Sequence, residues 1–166
     1  MVNEVYLGLG SNKGERLIYL KRAIDELHKV GKVIAISPVY ETEPWGKIVQ
    51  PRFLNAVIRM VTELTPLLLL REVKAIEQRV GRQPSPRWGP REIDIDILFY
   101  DGLILDTPEL KIPHPYLHVR PFVLIPLADI APDLVHPVLK KTVCELVKEL
   151  NDEDRDKVRR YAATIA

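Results

Sequence analysis

The apolar-rich run from Val2 to Leu9 reads as a strand, and the polar Gly10-Ser11-Asn12-Lys13-Gly14 then breaks it. Ser11 or Asn12 is placed to cap a helix, in which Leu17, Leu20, Ile24 and Leu27 recur at helical spacing until Gly31 stops it. Val33 to Tyr40 is apolar and β-rich and predicts a second strand, and Phe53 to Leu64 predicts a third. Thr42 to Arg52 lies between them as a long irregular connection, a kind of loop that tends to carry function. Thr65-Pro66 then supplies an N-cap and a first-turn proline for a helix whose apolar stripe, Leu69, Val73, Ile76 and Val80, runs to Gly81. Arg91 to Tyr100 predicts a fourth strand. Asp101-Gly102, between Leu98-Phe99-Tyr100 and Leu103-Ile104-Leu105, predicts a hairpin, so the order reads βαββαββ.

Further on, Arg120 to Ile130 predicts a short helix despite Pro126, and Thr142-Val143-Cys144-Glu145 has the capping-box spacing that opens a helix through Leu150. The charged stretch from Asn151 to Arg160 reads as a solvated end. A chain of 166 residues, 46% hydrophobic, fits one domain over 1–166, with 151–166 as its charged tail. A net charge of +1 argues against a dedicated nucleic-acid or membrane-surface binder, which needs a cationic surplus. Cys144 is the single cysteine, so no disulfide forms within the chain. No apolar run approaches the roughly 18 residues of a membrane span, and the first residues lack a secretory pattern, so the expected location is the cytoplasm.

The sharpest chemical feature is Arg91-Glu92-Ile93-Asp94-Ile95-Asp96-Ile97. On a strand, the three isoleucines enter the core while Asp94 and Asp96 share the opposite face, separated by about 6.6 Å of rise. Two like charges so placed suit divalent cations; the plain alternative is an amphipathic strand with solvated aspartates. Arg79 to Arg91 adds four arginines and no acid in a Pro/Gly-rich loop, which can fold over a polyphosphate or simply be a solvated basic loop. Prolines on both sides of His114 aim its imidazole, which can bond a phosphate or serve structure. Thr42, Trp45, Phe53 and Asn55 flank the long connection and can sandwich and read a flat heterocycle. Cys144 among apolar neighbours reads as packing. Gly8 to Gly14 fits neither the dinucleotide fingerprint nor the P-loop.

Taken together, the chain resembles the 6-hydroxymethyl-7,8-dihydropterin pyrophosphokinases of folate biosynthesis. The resemblance rests on GLGSN at Gly8 to Asn12, the Tyr40-x-Thr42 turn, Gln50-Pro51-x-Phe53-Leu54-Asn55, Ile76-Glu77 with Gly81-Arg82, and the block Arg87-Trp88-Gly89-Pro90-Arg91-x-Ile93-Asp94-Ile95-Asp96-Ile97. Pro113-His114-Pro115 and Arg120-Pro121-Phe122 complete it. It implies an α+β, ferredoxin-like βαββαβ sandwich with an additional C-terminal hairpin strand and helices, and pyrophosphate transfer from ATP to the pterin's hydroxymethyl oxygen with release of AMP. It also implies two Mg²⁺ ligated by Asp94 and Asp96, with Arg82 and Arg91 as catalytic groups on the phosphates. Glu77, Arg82, Trp88, Arg91, Ile97, His114 and Arg120 would line the nucleotide side; Thr42, Trp45, Phe53, Asn55 and Phe122 would hold the pterin. The chain departs from the family around Glu43, Trp45, Lys74 and Glu109, and its arginine loop is short and carries Pro84 and Pro86. The partners expected are the two small-molecule substrates, with no nucleic acid and no membrane, for a monomer. The competing classes are a nucleic-acid-binding module of the same fold, disfavoured by acids on the strand face, and a nucleotide sensor that binds ATP without releasing AMP.

Overall fold

The computed structural model describes residues 2–43, 49–85, 89–162 and 165. The elements run β1 (Asn3–Ser11), α1 (Arg16–Leu27), β2 (Lys32–Ile36), β3 (Val39–Thr42), β4 (Phe53–Thr62), α2 (Pro66–Val80), β5 (Asp94–Tyr100), β6 (Leu105–Asp106), β7 (Lys111–Ile112), a 3-10 turn (Leu117–Val119), α3 (Pro121–Ile130), α4 (Val143–Lys148), α5 (Asp152–Asp156) and β8 (Val158–Ala162). This is a mixed α+β fold around an antiparallel sheet in the order β5-β1-β4-β3-β8, with β2 also paired to β4.

Strand alternation divides the core in two. Val5, Leu7 and Leu9 of β1 and Ile93, Ile95 and Ile97 on and beside β5 meet the stripes of α1 (Leu20, Ala23, Ile24, Leu27) and α2 (Leu69, Val73, Ile76, Val80). On the opposite face Tyr6, Val57, Leu98 and Phe99 pack under Val123, Leu124 and Leu127 of α3 and Val143 and Leu146 of α4. Leu98 and Phe99 share a face because the β1–β5 register jumps there: Tyr6 pairs with Phe99 and Leu7 with Ile97. The extra residue is a β-bulge.

Several elements differ from the sequence pattern. Val33 to Tyr40 is two strands, because Pro38 has no N–H and Ser37 turns inward, donating its N–H to Val57 O while its Oγ accepts from Val57 N. The fourth strand begins at Asp94 rather than Arg91. Asp101-Gly102 does not turn β5 back on itself: Asp101 bonds Glu4 through both its N–H and its carboxylate, and Leu105–Asp106 pairs instead with Lys111–Ile112. Neither Ser11 nor Asn12 caps α1, whose N-cap is Glu15 without a side-chain bond. The capping box at Thr142 and Glu145 is present. The expected solvated end is ordered: Asn151 caps α5 through Asp154 N, and β8 pairs antiparallel with β3 from Thr42↔Val158 to Val39↔Ala162. No described helix is long and apolar enough to cross a membrane.

Removing residues 157–166 should therefore destabilise the protein, since it strips one of the two backbone partners from β3 and uncovers Tyr40, Glu41 and Thr42 on that edge. We expect a lower midpoint in urea, with a slope reduced in step with the smaller surface exposed. An unchanged midpoint would show that β8 adds nothing to the sheet.

Candidate active site

The face of the sheet left open by α3 and α4 carries a cavity of about 620 Å³. Its floor is set by register. Gly10 pairs with Asp94 on one side and Asn55 on the other, and Gly8 pairs with Asp96 and Val57. Two glycines thus leave bare backbone between a wall of carboxylates on β5 and a polar wall on β4, about 10 Å apart at two strand spacings. A Cβ at Gly10 would stand 3.0 Å from Asn55 Nδ2, so the absence of a side chain there keeps the amide in place.

The acidic wall is as the alternation requires: Ile93, Ile95 and Ile97 are buried below, and Asp94 and Asp96 face the cavity. Arg82 Nη1 lies 3.3 Å and Arg91 Nη1 3.7 Å from Asp94 Oδ1. The same Arg82 nitrogen donates to Glu77 Oε1 at 2.7 Å. Burial of Asp96, reinforced by the charge of Asp94, pushes its carboxyl up to about 7. A carboxylate pair of this kind is a hard-oxygen donor set short of positive charge. Among the described residues no group of three or more His, Cys, Asp or Glu could hold a metal ion, but Mg²⁺ is ordinarily held by one or two carboxylates, with substrate phosphates and water completing the shell. Asp94 and Asp96 fit that pattern.

Glu77, expected on the nucleotide side, is 1% exposed and does not line the cavity. It accepts from Ile95 N at 2.7 Å and from Arg82, and so ties α2 to the strand between the two aspartates. Burial pushes its carboxyl up as well. The Ile97 side chain belongs to the helix-side core. His114 lines the cavity; burial first, then the Arg120 charge, lowers its imidazole to about 4. Its Nδ1 accepts from Tyr116 N at 3.3 Å, which leaves Nε2 as the donor of a neutral ring. Arg120 lies over the Tyr116 and Phe122 rings, with its guanidinium carbon 5.4 and 5.6 Å from their centroids.

Thr42, Phe53 and Asn55 line the cavity across the glycine floor from Asp94 and Asp96, and Phe122 lines it beneath Arg120. Thr42 Oγ1 and Asn55 Oδ1 are buried without a hydrogen-bond partner in the protein, a cost that a polar guest would relieve. The cavity therefore brings together Asp94, Asp96, Arg91, His114, Arg120, Phe122, Thr42, Phe53 and Asn55, with Arg82 immediately behind Asp94. Trp45 and Trp88 lie outside the described residues. Gln50, part of a motif behind the resemblance, and Lys74, one of the departures from the family, also line it, as does Tyr116, which the sequence did not single out. Lys74 carried a signal, since it sits one turn before Glu77 on α2, and its Nζ is 3.4 Å from Glu77 Oε1.

Fold and cavity together define a mixed α+β protein with an acid–arginine pair facing an unsatisfied polar wall across one sheet. The chain belongs to the 7,8-dihydro-6-hydroxymethylpterin-pyrophosphokinase family, whose profile matches residues 6–132. It is 46% identical over 145 residues to a 2-amino-4-hydroxy-6-hydroxymethyldihydropteridine pyrophosphokinase of Aquifex aeolicus, covering 87% of this chain and 91% of that protein. A protein of the same name from Pseudomonas aeruginosa is 45% identical over 139 residues, covering 82% and 86%. In fold, the chain is similar to the crystal structure of wild-type Plasmodium falciparum HPPK-DHPS with STZ-DHP, with a TM-score of 0.76 and 19% identity over 96% of this chain. It spans 47% of that longer chain.

The raised value of Asp96 has a direction for stability. Its folded-state value lies above the ordinary 3.8, so the stability tied to its protonation is present in acid and is lost as pH rises through about 7. Asp96→Asn should raise the melting temperature measured in EDTA by about 2 to 4 °C at pH 8, the scale of ~1 kcal/mol for a chain this size, and by less at pH 5. A melting temperature lowered at pH 8 would contradict a net cost of burying the Asp96 charge, which Arg120 and Lys74 only partly offset.

Proposed function

We propose that the chain transfers the β,γ-diphosphate of ATP to the hydroxymethyl oxygen of 6-hydroxymethyl-7,8-dihydropterin, giving AMP and the pterin pyrophosphate for folate biosynthesis. The reading is carried by one observation: a carboxylate pair beside two arginines faces the buried, unpartnered side-chain oxygens of Thr42 and Asn55 across a floor of glycine backbone. A polyphosphate with its cations suits the first wall. A flat heterocycle with amide-like edges suits the second, with Asn55 and Thr42 bonding its edge and Phe53 and Phe122 against its faces.

Asp94 and Asp96 would hold two Mg²⁺ with the phosphates, and the ions would neutralise phosphate charge and favour departure of AMP. The hydroxymethyl oxygen attacks the β-phosphorus, the bond from that phosphorus to the α,β-bridging oxygen breaks, and the hydroxyl proton leaves to solvent. Arg91 and Arg82, which sit on Asp94 in this structure, would turn their donors to the transferring phosphates and stabilise the charge growing on the leaving oxygen. His114, neutral at physiological pH, would donate from Nε2, and Arg120 with Trp88 would complete the nucleotide side. Holding both substrates in line supplies most of the rate. Glu77 would act through Arg82 and the β5 backbone rather than by touching nucleotide.

We further infer that the plan is ferredoxin-like, since β5-β1-β4-β3 with α1 and α2 on one face reproduces its crossed order, β8 and the C-terminal helices being additions. Residues 1–166 would act as one pyrophosphokinase domain, a cytoplasmic monomer without nucleic-acid partners. Exposed Arg159 and Arg160 on the outer strand are charges that discourage edge-to-edge pairing.

Incubation with Mg²⁺, ATP and the reduced hydroxymethyl pterin should yield AMP and a pterin pyrophosphate. ADP as the nucleotide product would overturn the reading. Arg91→Ala should lower kcat by about 10³-fold, the scale for an arginine serving transferring phosphates, and change the KM for ATP far less. A loss confined to KM would assign Arg91 to ground-state binding.

A further inference from the structure

The residue that joins the two walls is Asn12. It follows β1 directly, is fully buried, and spends every hydrogen-bonding group of its amide on two other segments. Its Oδ1 accepts from the Arg91 backbone N–H at 2.7 Å, and its own N–H donates to Arg91 O at 3.0 Å, so Arg91 is gripped on both sides of its Cα. Its Nδ2 donates to Gln50 Oε1 at 2.8 Å and to Pro51 O at 3.1 Å. Arg91 ends the arginine loop and reaches Asp94; Gln50 and Pro51 precede Phe53 and Asn55. Beside it, Lys13 pairs with Glu92, which in turn accepts from Gln83 N and closes the base of the arginine loop.

We infer that Asn12 is a positioning residue, which locates Arg91 and the segment 50–51 against the same glycine floor and thereby couples the phosphate side of the site to the heterocycle side. The inference rests on the function proposed above. The chemistry is specific to an amide: one acceptor faces a backbone donor and two donors face two oxygens. Aspartate keeps the bond to Arg91 N, and a turned Gln50 amide can still meet it, but it sets a carboxylate oxygen against Pro51 O. Alanine loses the side-chain bonds to both segments and keeps only its backbone N–H on Arg91 O. Because one rigid group serves both segments, ordering either should favour the other, and by linkage the effect is equal in both directions.

Steady-state kinetics and binding of α,β-methylene-ATP and 6-hydroxymethylpterin test this. Wild-type protein must first release AMP; if it does not, the proposed function fails and not the role of Asn12. With an active wild type, Asn12→Ala should lower kcat about 10²-fold at saturating substrates, the scale for misplacing a reacting group by about 1 Å. Asn12→Asp should keep more of kcat and show its loss mainly as a raised KM for the pterin. The nucleotide analogue should tighten pterin binding to the wild type about fivefold or more, and to Asn12→Ala hardly at all. If Asn12→Ala does not fold, amide exchange on the wild type decides: the pterin analogue should slow exchange at the Arg91 N–H. Unchanged kcat and KM with only a lowered melting temperature, an undiminished coupling, or Arg91 exchange indifferent to pterin would each overturn the inference.

Discussion

Asp94 and Asp96 carry like charge on adjacent outward positions of β5, and the energy of holding them there governs how the surrounding chain is arranged. Burial already pushes Asp96 far above the normal carboxylate range. The strand can bear this because Ile93, Ile95 and Ile97 are anchored beneath it in the helix-side core, and because Glu77 takes up Ile95 N–H from the α2 side. Arg82 and Arg91 pair with Asp94 rather than with Asp96, and Arg82 is shared with Glu77. The site is therefore held in a state of electrostatic need, with stability given up where cations and phosphates are to be received.

What distinguishes a binding site from a merely acidic strand is the row beside it. Gly8 and Gly10 are the neighbours of Asp96 and Asp94 in the ladder, and β4 brings Val57 and Asn55 next to them. A side chain at Gly10 would crowd the Asn55 amide. The distance between acids and amide is consequently a property of strand spacing, the most rigid dimension a protein offers, rather than of loop conformation.

Local periodicity made much of this legible. The stripes of α1 and α2, the alternation in Ile93 to Ile97 and the capping box at Thr142 each depend on neighbours within a few residues, and each is found. Long-range contacts hid the remainder. Asp101-Gly102 has hairpin chemistry, yet Glu4 captures Asp101 from 97 positions away. Asn12 has a cap residue's identity, but its partners at 50, 51 and 91 are set by tertiary structure. The charges of Val158 to Ala162 suggest solvent, and two of the five residues are exposed arginines; backbone pairing with β3 makes them a strand all the same. Gly8 and Gly10 look like a failed phosphate loop until the register shows what they face.

The bulge at Leu98 draws the boundary of the cavity. Up to Ile97 the face above the sheet alternates, so Asp94 and Asp96 are flanked by residues pointing away from them. Once the ladder slips, Leu98 and Phe99 both turn to that face and give α3 and α4 an apolar surface to cover. The last aspartate and the first covered leucine are thus two residues apart. His114 stands at this border, its N–H bonded to Leu98 O, and the edge of the apolar cover accounts for its neutral ring. A regular strand would have turned Phe99 toward α1 and α2, leaving α3 without its aromatic base and the border undefined. One extra residue in β5 therefore fixes where the core ends and where the chemistry begins.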